Sequence, residues 1–279
     1  MRILSWNIQY GRAANGSARL QNTLRHIQSM GKFDLICLQE IARNMDAYCE
    51  ADEFDQVETI QAAFPDYQAV WGAGFSWPVA FGQPSQRMEF GNLTLVSAEL
   101  LDYKIHLLPM PAAPGQMQMQ RIAVETVVNS TIGPLSVLNM HLAFHDNGER
   151  QSQVAYICQL DADRRGQLAQ PKQEGIGAYA AGYLPVARIA CGDCNFGTDF
   201  DQYPYMLAHR WIDAWNLTST HAPRPNTCGI YDTAQWPEGP HTRDFFWLSQ
   251  ELADCGIDYR VDTATALSDH QPLMLEMAI

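Results

Sequence analysis

The sequence predicts an α/β fold in which two packed mixed β-sheets are flanked by helices. Three observations lead there. About eleven segments read as strands and four as helices, interleaved along the 279 residues rather than grouped by type. No linker, charge block, low-complexity tract or internal repeat divides the chain, so one domain over residues 1–279 is expected. Apolar residues make up 47% of the sequence, enough for a sizeable core. That many strands are most simply arranged as two packed sheets.

The elements follow in order. "RILSWNIQY" alternates and opens the chain as a strand, and "GRAANGSA" is a loop. From Ala18 to Met30, Leu20, Leu24, Ile27 and Met30 recur at helical spacing, and Gly31 ends the helix. "FDLICLQE" is a short apolar run bounded by acids, as a buried strand should be. Residues 53–64 form a second helix, with Phe54, Val57, Ile60 and Phe64 on one side. "YQAVWG" is a strand, and 72–91 reads as an irregular loop. "LTLVSAELL", "YKIHLLP", "RIAVETVV" and "LSVLNMHL" are strands, with the loop "PMPAAPGQMQMQ" among them. A helix over 149–163, the strand "VARIACGDCN" and a helix over 199–216 interrupted near Pro204 come next. A long loop leads to the closing strands "RDFFWLS", "DYRVDTA" and "QPLMLEM".

Composition limits the function classes. The formal charge is −13, from 31 acids against 18 bases, and the longest basic run is the pair Arg164-Arg165. A general nucleic-acid binder usually shows a basic patch, so this balance argues against one. No run of about 18 apolar residues exists, so no membrane-spanning segment is expected. The chain opens directly on a strand without a leader pattern. Seven cysteines, an odd number, favour reduced thiols and a cytoplasmic location. Cys191 and Cys194 form a CxxC, but it brackets Gly-Asp and has no second half, which disfavours a zinc or redox reading.

Polar residues recur where apolar strands end. Asn7 follows "ILSW", and Gln39 and Glu40 follow "DLICL". His141 follows "LSVLNM", and Asp193 and Asn195 follow "ARIACG". Asp244 opens "FFWLS", and Asp269 and His270 precede "PLMLEM". Each alone is an ordinary turn former or a solvated end. Their recurrence in apolar contexts points to a shared site. Glu, Asp and Asn are hard oxygen donors suited to Mg²⁺ (or Mn²⁺) rather than zinc. A carboxylate beside an asparagine can hold and deprotonate a water. An imidazole backed by a carboxylate can face a phosphoryl oxygen.

In this order, "SWNIQYG", "FDLICLQE", "FGNLTLVS", "NMHL", "CGDCNFG", "RDFFWLS" and "LSDHQPL" resemble the endonuclease/exonuclease/phosphatase superfamily over about residues 2 to 277. The WN, QE, GDxN and SDH motifs are weak singly and very specific together. The resemblance implies a four-layer α/β sandwich with its site at one end of both sheets. It implies metal-dependent hydrolysis of phosphate esters. Glu40 would be the main Mg²⁺ ligand, with Asn7 and Asp269 close to the metal. Asp193 would activate water, and Asn195 would orient the water or phosphate. His270 would contact the phosphate, held by Asp244, and His141 would stabilise the transition state or leaving group. Two departures stand out: Met140 precedes His141 where Thr is common, and Arg243 precedes Asp244 where an aliphatic residue is usual.

Specificity should lie in the loops. The 72–91 segment carries Phe75, Trp77, Phe81 and Phe90, which can stack on a base, cover an acyl chain or simply pack on one another. "QMQMQ" at 116–120 is either an adaptable surface or plain linker. Arg87, Arg121 and Arg243 are candidate phosphate contacts, and His145 is not assigned to a metal. The expected partner is a small or lipid-like phosphate ester in preference to duplex nucleic acid. The alternatives are a DNA or RNA nuclease on the same scaffold and a non-catalytic binding module.

Overall fold

The computed structural model describes residues 1–17, 20–49, 54–80, 86–218 and 222–279. Two six-stranded sheets form its centre. The first contains β1 (Arg2–Asn7), β2 (Leu35–Arg43), β3 (Gln68–Pro78), β4 (Arg87–Val96), β11 (Ile257–Val261) and β12 (Leu273–Met277). The second contains β5 (Leu100–Leu107), β6 (Ile122–Ser130), β7 (Gly133–His141), β8 (Ala187–Asp193), β9 (Trp211–Asp213) and β10 (Asp244–Ser249). Their orders are β11-β12-β1-β2-β4-β3 and β5-β6-β7-β8-β10-β9. Each sheet has one parallel pair near its centre, β1 with β2 and β7 with β8, and its other neighbours are antiparallel.

Side-chain alternation gives the central strands two buried faces, while the edge strand β5 has no buried residue. Ile3, Leu35 and Cys37 face Val137, Ile189 and Phe246 between the sheets. Leu4, Trp6, Ile36 and Leu38 point outward onto α1 (Leu20–Ser29) and α2 (Gln56–Ala63), meeting Leu24, Ile27 and Ile60. Leu138, Ala190 and Trp247 point the other way onto α3 (Asn147–Ala169) and α4 (Gln202–Ala208), meeting Val154, Ile157 and Met206. The result is the expected four-layer sandwich. Among the described residues, no helix is long and apolar enough to cross a membrane.

Three local expectations are corrected. The 72–91 segment is not an irregular loop: Phe75 and Trp77 lie in β3 and Phe90 in β4, while Phe81 falls outside the described residues. Glycines disguise these strands, and close backbone approach requires them. A Cβ at Gly91 would lie 1.9 Å from the Gly72 carbonyl oxygen, and one at Gly74 would lie 2.2 Å from that of Gln120. "LTLVSAELL" is two strands, because the chain leaves the first sheet after Val96 and enters the second at Leu100. The helix expected over 199–216 ends at Ala208, and Trp211–Asp213 instead pairs with β10 as an edge strand. Arg210, at φ +71°, makes the turn between them.

A polar lock joins the sheets just behind their functional end. Gln39 donates to Asn139 Oδ1 at 2.7 Å, and the Asn139 amide donates to the Leu38 and Leu93 carbonyls at 3.1 and 3.0 Å. These groups are fully buried, so leaving any of them unpaired would carry a desolvation cost. Gln39 therefore belongs to the scaffold, and its neighbour Glu40 faces the site.

Candidate active site

Parallel pairing brings equivalent strand ends together. Asn7 is in register with Gln39, and His141 with Asp193. Asp244 opens β10 directly opposite Asp193. The polar strand ends therefore converge on one edge of the sandwich, around a pocket of about 280 Å³ lined by Glu40, Asp193 and His270 among others.

Local backbone features aim these side chains. The β2–β4 register slips between Leu38 and Ile41, and Glu40 within that bulge has φ +60°. A bulge re-aims a side chain in this way, and a non-glycine residue keeps such a φ only when its surroundings hold it there. Gly192 has φ +132°, and a Cβ there would lie 1.9 Å from the Met140 carbonyl oxygen. Only glycine fits immediately before Asp193.

Asn7 links two carboxylates. Its amide donates to Glu40 Oε1 at 3.1 Å and to Asp193 Oδ2 at 3.0 Å. Asp193 Oδ1 accepts the Asn195 N–H at 2.9 Å, while the Asn195 amide donates to the Leu142 carbonyl at 3.0 Å. His141 Nε2 lies 3.4 Å from Asp193 Oδ2 and 3.8 Å from Glu40 Oε1. His270 Nδ1 lies 2.8 Å from Asp244 Oδ2, and its Nε2 lies 3.6 Å from Asp193 Oδ2. The Thr227 hydroxyl donates to Asp244 at 2.6 Å, and Trp6 Nε1 donates to the His270 carbonyl at 2.9 Å. The Ser268 hydroxyl is 2.7 Å from the Asn7 carbonyl and accepts the His270 N–H at 3.2 Å. Ser268 thus ties the last loop to β1 and is not placed as a nucleophile.

Electrostatics separate the two histidines. Burial works against a charged His270, but the carboxylates of Asp244, Asp193 and Asp269 outweigh it and hold its pKa well above the usual imidazole value. Burial and the Arg121 guanidinium push His141 well below that value. Arg121 Nη1 lies 2.8 and 3.0 Å from the two ring nitrogens of His141. At neutral pH one imidazole is charged and the other neutral. Burial works against a charged Asp193, but the positive charge of His270 and the hydrogen bonds from Asn7 and the Asn195 N–H help hold it below the usual carboxylate range. Glu40 is pushed up to about 7 by burial and by the charge of Asp269.

A carboxylate with so raised a pKa lacks a compensating cation, and a divalent ion would supply one. Glu40, His141 and Asp193 offer ligand atoms within 4.8 Å of one another, as do Asp193, Asp244 and His270. The carboxylate oxygens of Glu40 and Asp193 are hard donors that fit Mg²⁺ or Mn²⁺, whereas Asn7 turns its NH2 to both of them and its Oδ1 accepts the Gln9 N–H at 3.0 Å, so Asn7 holds the carboxylates rather than an ion. Asp269 belongs to neither group. Its Oδ2 accepts from Gln235 Nε2 at 2.9 Å and Trp236 Nε1 at 3.1 Å, and lies 3.9 Å from His270 Nε2.

Several site residues were not readable in advance. Gln235, Trp236 and Thr227 come from the long loop before β10, which has no periodicity to place them. Of the three candidate arginines, Arg121 and Arg243 reach the site. Arg243 lies over the Trp236 ring at 4.7 Å and the Phe144 ring at 5.3 Å, with Nη1 3.4 Å from Asn195 Oδ1. This places the unusual residue before Asp244 against Phe144, Trp236 and Asn195, behind the pocket wall that they form. Arg87 instead bonds Ser76 on an exposed hairpin. His145 lines the pocket. Cys191 and Cys194 are buried free thiols, with burial raising the Cys194 pKa well above normal, so the CxxC presents no reactive surface pair.

With this geometry established, the comparisons identify the class. Residues 4–270 match the model of the Endonuclease/Exonuclease/phosphatase family, and the chain belongs to that family. No curated protein matches the sequence. Among solved structures, the chain is similar to an endonuclease/exonuclease/phosphatase from Beutenbergia cavernae, with TM-score 0.70 and 15% identity over 99% of this chain and 71% of that one. A Bacteroides vulgatus family member gives 0.67 and 18%, over 99% and 98% of the two chains. A mannosyl-6-phosphatase from Bacteroides thetaiotaomicron gives 0.65 and 14%, over 100% of both. At these identities the likeness is one of fold.

Proposed function

We propose that the chain, as one catalytic domain over residues 1–279, hydrolyses phosphate esters with Mg²⁺ or Mn²⁺ held at Glu40, beside Asn7 and near Asp269. One observation carries this reading: a single carboxylate oxygen, Asp193 Oδ2, is faced by the Asn7 amide and by both histidines. When bound, the ion supplies positive charge to the phosphate and Lewis acidity to its oxygens. Asp193, fixed by Asn7 and Asn195, takes a proton from the attacking water. The water oxygen bonds to phosphorus as the phosphorus–oxygen bond to the alcohol breaks. Charged His270, oriented by Asp244, donates to a phosphoryl oxygen. Neutral His141 and Arg121 stabilise charge on the departing oxygen, which takes a proton from solvent water and leaves as the alcohol, while Asp193 returns its proton to solvent.

Small or lipid-like esters are favoured over duplex nucleic acid, given the acidic chain and the absence of any long basic run. Its free cysteines suit a reducing compartment such as the cytoplasm. The test is a screen of p-nitrophenyl phosphodiesters, inositol phosphates, phospholipids, DNA and RNA, with chelator, Mg²⁺ or Mn²⁺. Turnover of an ester that chelator abolishes and Mg²⁺ or Mn²⁺ restores supports the reading. Full turnover in chelator overturns the metal role, and dominant cleavage of DNA or RNA makes the chain a nuclease.

A further inference from the structure

We propose that a second cavity, continuous with the phosphate pocket, receives the alcohol part of the substrate and selects one that carries a flat aromatic ring. The proposal rests on the phosphate-ester reading above and names the substrate class for the same site. The cavity has a volume of about 640 Å³ and shares Glu40, Arg121 and Gln235 with the phosphate pocket. An ester whose phosphorus lies beside Asp193 and His270 can therefore project its alcohol past Arg121 into this space.

The walls favour aromatic groups. Phe75 and Trp77 of β3 stack on each other, with centroids 4.3 Å apart and planes at 28°. Tyr10 and Tyr48 form a second stack at 4.5 Å and 26°, and Phe90 lies 5.7 Å from Tyr48. Met45, Met110 and Met119 also line the cavity and give it polarizable sulfur contacts. Trp77 is 58% exposed, so a covering ring would take apolar surface out of water. Gln9 and Tyr10 hold positive φ angles of 44° and 46°, and such backbone strain tends to cluster at ligand sites.

The polar side chains around the cavity are poorly placed to read a sugar. The Gln118 amide donates to the Pro111 carbonyl and to Glu149. The Gln120 amide donates to the Leu108 and Arg121 carbonyls, and the Gln9 amide to Gln235. With these amide donors engaged, the lining still offers Gln9 Oε1, which has no partner, and the Arg12 guanidinium, too few groups to match the several hydroxyls of a sugar, and the unmatched ones would lose water without replacement partners.

The experiment compares 3-phenylpropyl, 3-cyclohexylpropyl, 3-hydroxypropyl and propyl phosphates, each as the monoester and the methyl diester. Their leaving alcohols are close in acidity, so differences in kcat/KM report binding of the distal group. In Mg²⁺, the phenylpropyl ester should exceed the propyl ester by at least tenfold and the cyclohexylpropyl ester by at least threefold. Trp77→Leu should cut the phenylpropyl-to-propyl ratio at least fivefold, and Trp77→Phe should largely keep it. Equal ratios across the series, a preference for the hydroxypropyl ester, or a ratio unmoved by Trp77→Leu overturns the proposal. If no ester is turned over, the hydrolase reading fails instead, and calorimetric binding of 3-phenylpropylphosphonate against propylphosphonate decides this one. Tenfold tighter binding of the phenyl compound upholds it, and equal affinity overturns it.

Discussion

His270 is bound to Asp244 through the ring nitrogen that faces away from the pocket, with Nδ1 2.8 Å from Asp244 Oδ2. That leaves Nε2 directed toward Asp193 at 3.6 Å. Asp244 is itself anchored by Thr227 and offers the ring one fixed orientation. The two residues should therefore act as one unit. His270→Ala and Asp244→Asn should each lower kcat by at least about 10²-fold. The double variant should be little worse than His270→Ala alone. A double-mutant cycle on kcat makes the check, and simple additivity of the two losses would show that they act separately.

Asp193 should matter for rate more than for affinity. Its carboxylate is fixed by Asn7 and Asn195 and held ionised by those hydrogen bonds and by charged His270. Asp193→Asn keeps the shape but removes the proton acceptor. We expect kcat to fall at least about 10²-fold, the scale for a positioned general base. KM should shift by only a few-fold. The reverse pattern, an intact kcat with a raised KM, would assign Asp193 to binding alone.

Glu40 makes the metal-free protein sensitive to pH. Its carboxyl has a folded pKa of about 7 against 4.5 as the ordinary value, so between those pH values the folded state binds more protons than the unfolded one. The stabilisation is fully present below pH 4.5 and is lost as pH rises through 7. In chelator, wild type should therefore melt progressively below Glu40→Gln between pH 5 and 8, ending lower by roughly 5 °C. Added Mg²⁺ should raise the wild-type Tm and leave Glu40→Gln nearly unmoved. Parallel pH profiles for the two proteins, measured by calorimetry in chelator, would rule out Glu40 as the source.

Much of this site was legible because its residues sit at the ends of strongly apolar strands. Asn7, Glu40, His141 and Asp193 could be read at strand ends; parallel register aligns β1 with β2 and β7 with β8, and the packing of the two sheets brings the pairs together. Asp244 opens β10 and His270 precedes β12 in the other sheet, so no register links them; their contact was an expectation from the family resemblance, and tertiary packing supplies its geometry at 2.8 Å. Trp236 and Gln235 were hidden because a long loop positions them through hydrogen bonds to Asp269 rather than through any repeating pattern. The β3–β4 hairpin was misread for a different reason. Gly72, Gly74 and Gly91 carry no strand preference, yet the tight backbone packing there needs them. Trp211–Asp213 was too short to outweigh the helical pattern beside it, and pairing with β10 decided its conformation.

Duplex DNA should be a poor substrate beside a compact or apolar ester. A protein that tracks a duplex usually neutralises several phosphates at once, commonly about 6–10. This chain carries −13 formal charge and 18 basic residues in total. The arginines at and behind the candidate pocket are partly committed: Arg121 lies against His141, and Arg243 stacks on Trp236 and bonds His241. The adjoining cavity sets Arg12 and Arg121 among aromatic rings and methionines, and two cations do not make a track. Long-range repulsion should also slow the encounter with a polyanion, most strongly at low salt. At fixed Mg²⁺ and ionic strength, kcat/KM for duplex DNA should fall at least tenfold below that of the best ester. Duplex binding should be weak at physiological salt and show a shallow dependence on salt concentration. A duplex preference of tenfold or more, with a steep salt slope, would mean that the folded surface gathers its arginines into a groove, and the nuclease reading would then replace this one.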